Sequence, residues 1–133
     1  MSDDATPAVT GTPRRLLRLE GGALAAIAVL LYGRTDAAWW LFAVLVLAPD
    51  LSFLGYLAGP RIGAAAYNAA HTTLGPIALA LVGGFFAPAS PAIAIALIWL
   101  THIGADRMLG YGLKYGAGFG FTHLGRVGRE AHP

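Results

Sequence analysis

Glu20, Asp50, Tyr67, Asn68, His71, His102, Asp106 and Arg107 all stand within or at the margin of long apolar stretches. An ionisable side chain at the centre of a membrane helix costs about 2.5 to 3.5 kcal/mol on insertion scales, so such residues there usually serve one another or a guest. Their types suit a divalent cation. Two imidazoles with two or three carboxylates are the donor set of Zn²⁺, Mn²⁺ or Fe²⁺. The expected ligands are Asp50, His71, His102 and Asp106, with Glu20 as a further candidate. Arg107 and Lys114, with Tyr67 and Asn68 beside His71, form the expected set for an anionic or polar substrate. No residue is singled out for covalent or acid–base catalysis, and none for an organic cofactor.

Spacing supports a shared site. His102 and Asp106 are four apart and share a helix face, while Tyr67 and Asn68 precede His71 by four and three and flank it. Pro49 immediately before Asp50, with Gly55 after it, loosens the backbone where a carboxylate must reach inward. The compact metal spacing His-Glu-x-x-His is absent. A purely structural arrangement uses the same residues: a closed His102–Asp106 pair, and Asp50 paired with Arg61 or Arg107 to fix helix register.

Four apolar runs must position these groups, each near the roughly 20 residues that cross a bilayer core. They extend from Leu16 to Tyr32, Ala38 to Ala58, Ile62 to Phe86 and Ala92 to Tyr111, separated by turns rich in Gly and Pro. Connections this short predict an all-α, four-helix transmembrane bundle running up-down-up-down over residues 14–115. Residues 1–13 are expected to be a disordered cytoplasmic tail, and residues 116–133 a cytoplasmic tail rich in Gly and aromatics. From Gly110 onward, Tyr111, Tyr115, Phe119 and Phe121 are expected to cap the polar layer, with His123 and His132 solvated. The first run continues unbroken to Tyr32, which favours a retained helix over a cleaved signal peptide.

Arg14, Arg15, Arg18, Arg61, Arg107, Lys114, Arg126 and Arg129 fall on one side of that bundle and Arg34 alone on the other, which predicts both termini inside. By the rise of a helix, the polar residues of all four runs then reach one level in the cytoplasmic half. The composition agrees with a membrane location: 56% of the chain is hydrophobic and 12% charged, too little charge to cover a soluble domain. Absence of cysteine removes disulfides and thiolate ligands. The net charge of +2 comes from scattered helix-end cations, not a basic stripe, which argues against nucleic acid as a partner. The Gly-x-Gly spacings after Gly110 follow no strand and do not form a nucleotide loop.

The strings APDLSFLGYLAGPRIGAAAYNAAHT (Ala48 to Thr72) and HIGADRMLGYGLKYGAGFGFTHLG (His102 to Gly125) resemble the small bacterial membrane-protein family catalogued as domain of unknown function 4260. The resemblance covers roughly Leu16 to Gly125. It implies a four-helix membrane architecture in a bacterial cytoplasmic membrane and carries no assigned activity or site residue. More loosely, the order Asp, His, His, Asp is similar to membrane-bound metal-dependent hydrolases, whose His-Arg-x-x-Thr-His-Ser element has only His71-Thr72 as a counterpart here.

Three functions fit these residues. One is a metal-dependent enzyme acting on a lipid or other amphiphile that arrives laterally from the bilayer. Another is a proton- or cation-conducting or transporter subunit, which with four helices requires a homo-oligomer. The third is a structural membrane subunit whose polar layer only fixes packing.

Overall fold

The computed structural model describes residues 7–128, and its elements are almost entirely helical. In order they are α1 (Gly11–Tyr32), α2 (Trp39–Leu45), a 3₁₀ helix η1 (Ala48–Ala58), α3 (Pro60–His71), α4 (Leu74–Phe86) and α5 (Ala92–Leu109). A two-stranded antiparallel ribbon follows, β1 (Phe121–Thr122) and β2 (Gly125–Arg126), pairing Phe121 with Arg126 and Thr122 with Gly125.

The four apolar runs correspond to these elements, but two of them are broken. The second run is not one α-helix: Pro49 has no N–H to donate, and from Ala48 the chain tightens into η1, in which the Asp50 N–H bonds to the Leu47 carbonyl at 3.1 Å. The third run, expected as one helix from Ile62 to Phe86, is divided into α3 and α4 at a bend of 41°. Its cause is Pro76, which lacks an N–H and whose ring would strike the Thr72 carbonyl in a continuous helix; Thr72 is extended instead, with ψ 144°. The first helix begins at Gly11 instead of Leu16, so its arginines lie within its first turns.

Among the described residues two stretches are long and apolar enough to cross a membrane, Trp39–Ala58 and Ala92–Leu109, and the bent pair α3–α4 supplies a third if it counts as one span. None of the Trp39–Ala58 side chains is buried, and Leu57, Phe85 and Phe86 are each more than 80% exposed.

Packing centres on α5. The α1 helix lies along it through Gly21 and Gly104, where a methyl group on Gly104 would stand 2.6 Å from the Gly21 carbonyl oxygen. On the other side α3 packs against η1 through Gly55, Gly63 and Ala66. Tyr32, Ala94 and Ile98 form a small core, with Tyr32 packed edge-on against Trp39 and Phe42 and its hydroxyl donating to the Ala38 carbonyl at 2.7 Å.

The expected N-terminal tail lies partly outside the described residues, as do Arg129 and His132. Where it is described, the Val9 N–H bonds to the His123 carbonyl at 2.8 Å, so this stretch is tied to the C-terminal ribbon. The ribbon lies against the helices, with Leu124 beside Gly21 and Ile103, and Lys114, Thr122 and Leu124 are buried.

Candidate metal centre

The helix breaks create the site. In a continuous α-helix the Val46 carbonyl would accept the Asp50 N–H, but η1 sends that N–H to Leu47. The freed Val46 carbonyl takes the Nδ1–H of His102 at 2.6 Å. At the end of α3 the same logic frees two more carbonyls: Ala70 accepts from Trp99 Nε1 at 2.6 Å, and His71 accepts from Arg107 Nη2 at 3.2 Å. His71 Nδ1 lies 2.9 Å from the Tyr67 carbonyl, and the Tyr67 ring stacks on the imidazole with centroids 3.7 Å apart.

Because a carbonyl oxygen can only accept, each Nδ1 must carry the proton, which leaves the Nε2 of the neutral ring as a bare electron pair. Both of these atoms point to one place. His71 Nε2 lies 3.3 Å from Asp50 Oδ1 and 3.4 Å from Asp106 Oδ2. His102 Nε2 lies 3.2 Å from each of the same two oxygens, and the two Nε2 atoms are 3.1 Å apart. No two of the four donor atoms are separated by more than 4.8 Å.

A tetrahedral ion with bonds of about 2.0 to 2.1 Å has donor-to-donor edges of about 3.3 Å, and five of the six edges here match that length. The remaining edge, between the carboxylates, is no longer than 4.8 Å. Two histidines only 2% and 5% exposed thus present electron pairs to two carboxylates. A single divalent cation would reconcile the four and cancel both negative charges. Protonating both rings would instead set two imidazolium cations side by side. The group can therefore hold one metal ion, and the carbonyls behind each histidine supply the outer hydrogen bonds that metal-ligating imidazoles require.

The four expected ligands come together; Glu20 does not join them. It is exposed on α1 and borders a separate small cavity with Arg107. Asp50 pairs with the two histidines and not with an arginine. Of the expected substrate residues, Tyr67 and Lys114 share with Asp50 and Asp106 a cavity of about 340 Å³. Asn68 instead binds the backbone: its amide donates to the Lys114 carbonyl at 2.8 Å and accepts the Lys114 N–H at 2.7 Å, docking the C-terminal segment. Arg107 is turned toward the His71 carbonyl and toward His123.

Sequence reasoning did not single out Phe53. Its ring stacks on Tyr67 and meets Phe119, and together the three rings surround the Lys114 ammonium, which lies 3.4 Å from the Phe119 centroid and 4.7 Å from that of Tyr67. The Lys114 ammonium also donates to the Phe119 carbonyl at 2.7 Å. The role of Val46 was equally invisible, since a backbone carbonyl carries no residue signature.

His123, expected to be solvated, is half-buried and accepts the Leu113 N–H on Nδ1 at 2.9 Å. Burial first, and then the neighbouring Arg107 charge, lower its pKa below the ordinary histidine value. A lowered folded pKa means that the unfolded chain binds the proton more readily, so this contribution to stability is complete above about pH 6.5 and is lost as pH falls through the lower folded value. The protection factor of the Leu113 amide, its exchange rate relative to the intrinsic rate at each pH, is therefore expected to fall on acidification below about pH 6.5, whereas in His123→Gln it should not change over that range. A protection factor flat with pH in the wild type would contradict this placement.

These features define an all-helical protein with a buried two-histidine, two-aspartate centre between broken apolar helices. The chain belongs to the family described as Domain of unknown function (DUF4260), which matches residues 14–127. No curated protein and no solved structure matches it.

Proposed function

We propose that this protein is a multi-pass membrane metalloenzyme that hydrolyses a lipid-like amphiphile, with Asp50, His71, His102 and Asp106 holding one Zn²⁺, Mn²⁺ or Fe²⁺. The observation that carries this reading is the convergence of four electron-pair donors whose histidine tautomers are fixed by carbonyls from behind. Apolar side chains that face outward along Trp39–Ala58 and at Phe85 and Phe86 support a lipid surround. The arginines near the start of α1 and the end of α5 support a bacterial cytoplasmic membrane with both termini inside and the apolar runs as an up-down-up-down bundle.

Such an ion lowers the pKa of a bound water towards neutrality and polarises an ester or phosphoryl oxygen. In the hydrolysis, the water oxygen bonds to the acyl carbon or phosphorus, the bond to the leaving oxygen breaks, and the water proton ends on that leaving oxygen. Asp50 and Asp106, which would hold the ion together with the two histidines, also line the cavity in which a reacting group would be bound. Tyr67, buried and stacked on His71, keeps that ring in register.

Elemental analysis of the full chain purified from membranes is expected to give one divalent ion per chain, and His71→Ala and His102→Ala should each lose it. Metal content unchanged in both variants would overturn the assignment.

A further inference from the structure

Two cavities of similar size differ in chemistry: one is lined by Asp50 and Asp106 of the centre, the other by residues next to the centre's ligands in the chain. The first, of about 340 Å³, is lined by Asp50, Asp106 and Lys114, a residue only 6% exposed. The second, of about 310 Å³, is an apolar groove whose walls include Leu45, Ala48, Ile95, Ile98 and Trp99. Its remaining walls are Pro49, Ser52 and Ala70; Pro49 precedes Asp50 and Ala70 precedes His71 in the chain, and Ile98 is one turn before His102. The groove runs between the two stretches that are long and apolar enough to cross a membrane.

We infer that the centre takes a single-chain amphiphile with an oxyanion head, the head held between the metal and Lys114 and the hydrocarbon chain laid in the groove beside Ala48 and Ile95. This rests on the metal reading above. A buried ammonium encircled by the rings of Phe53, Tyr67 and Phe119 has little freedom to follow a ligand, so it selects for an anionic group at a fixed place. The groove, open to the lipid side and apolar, fits the chain of a molecule already dissolved in the bilayer. A free phosphate would fill the first cavity and leave the second unused; a neutral alcohol would do the reverse.

The test uses the full chain in nanodiscs, loaded with Zn²⁺, and equilibrium binding of decyl phosphate, decanoate, decanol and inorganic phosphate. Decyl phosphate or decanoate should bind more tightly than either decanol or inorganic phosphate, and the comparison of the two acids tells a phosphoryl from a carboxylate head. Lys114→Met should weaken the acid about tenfold or more and leave decanol unchanged, with Lys114→Arg retaining most of the affinity. Ala48→Phe should weaken the acid and leave inorganic phosphate unchanged, and Ile95→Phe provides the same test from the opposite wall. Equal affinity for decyl phosphate and decanol, or no effect of Lys114→Met in protein that retains its metal, would overturn the head assignment. Inorganic phosphate binding as tightly as decyl phosphate would overturn the chain assignment. A chain that takes up no Zn²⁺ fails earlier, in elemental analysis before any ligand is added, and counts against the metal reading.

Discussion

Chelation of the purified protein should lower its thermal midpoint by about 10 °C or more at neutral pH, and Asp50→Asn should remove that sensitivity while being more stable than the chelated wild type. The reason is the arrangement of like partners: two bare Nε2 electron pairs and two carboxylate oxygens meet at 3.1 to 3.4 Å. A cation present at a thousand times its dissociation constant stabilises the folded chain by about 4 kcal/mol, and at a few degrees per kcal/mol this gives the expected shift. In the chelated wild type the only donor these acceptors can gain is a proton taken up on an Nε2, which burial disfavours. An asparagine at position 50 brings an N–H₂ that can donate to a histidine Nε2, so the chelated variant relaxes where the wild type cannot. The metal-loaded order is the reverse, wild type above Asp50→Asn, because the variant has lost an anionic ligand. Thermal unfolding of both proteins with metal and with chelator checks the inversion. Two proteins that shift equally in both conditions would contradict a cation at this centre.

Gly104→Val should be the most damaging single substitution away from the ligands. A side chain there would begin 2.6 Å from the Gly21 carbonyl and 2.7 Å from the Ala25 nitrogen, both backbone atoms that cannot rotate away. Gly21 is equally constrained, since its own methyl position is occupied by Arg107 Cβ. Overpacking of this kind costs about 1 to 3 kcal/mol, and relief requires α1 to withdraw from α5. Because Gly104 lies midway between His102 and Asp106, the strain is delivered to two ligands at once. Metal affinity should fall about tenfold together with stability, as when the support behind metal ligands is disturbed. Gly84→Ala is the contrasting case: only Ile93 Cδ1 comes within 4 Å, at 3.7 Å, and alanine is worth up to about 1 kcal/mol over glycine in a helix. Thermal unfolding and elemental analysis of both variants distinguish the two glycines, and a Gly104→Val protein with unaltered midpoint and metal content would refute the packing argument.

How much of this was legible beforehand depends on the range of the interaction. The partnership of His102 with Asp106, and the placement of Tyr67 against His71, are spacings of four along a helix and needed no tertiary knowledge. The inclusion of Asp50 and His71 followed from their chemistry within apolar runs, where an ionisable group has few acceptable surroundings. Glu20 satisfied the same reasoning, yet it faces outward, because depth along a helix does not specify which face a residue occupies. Asn68, chosen as a substrate contact, is committed to the Lys114 backbone 46 residues away.

The amino-acid sequence by itself determined the membrane-like composition, the four apolar runs, and the two histidines and two aspartates able to share an ion, since residue type and helical spacing are local properties. Only the tertiary structure decided which carbonyls the breaks at Pro49 and Pro76 would release and which side chains would claim them. Val46 orients His102 across 56 residues of chain, and the ribbon returns Lys114 to a cavity built by η1, α3 and α5. Such contacts are selected by the packing of the whole chain, where burial and the need to satisfy every buried polar group are settled together.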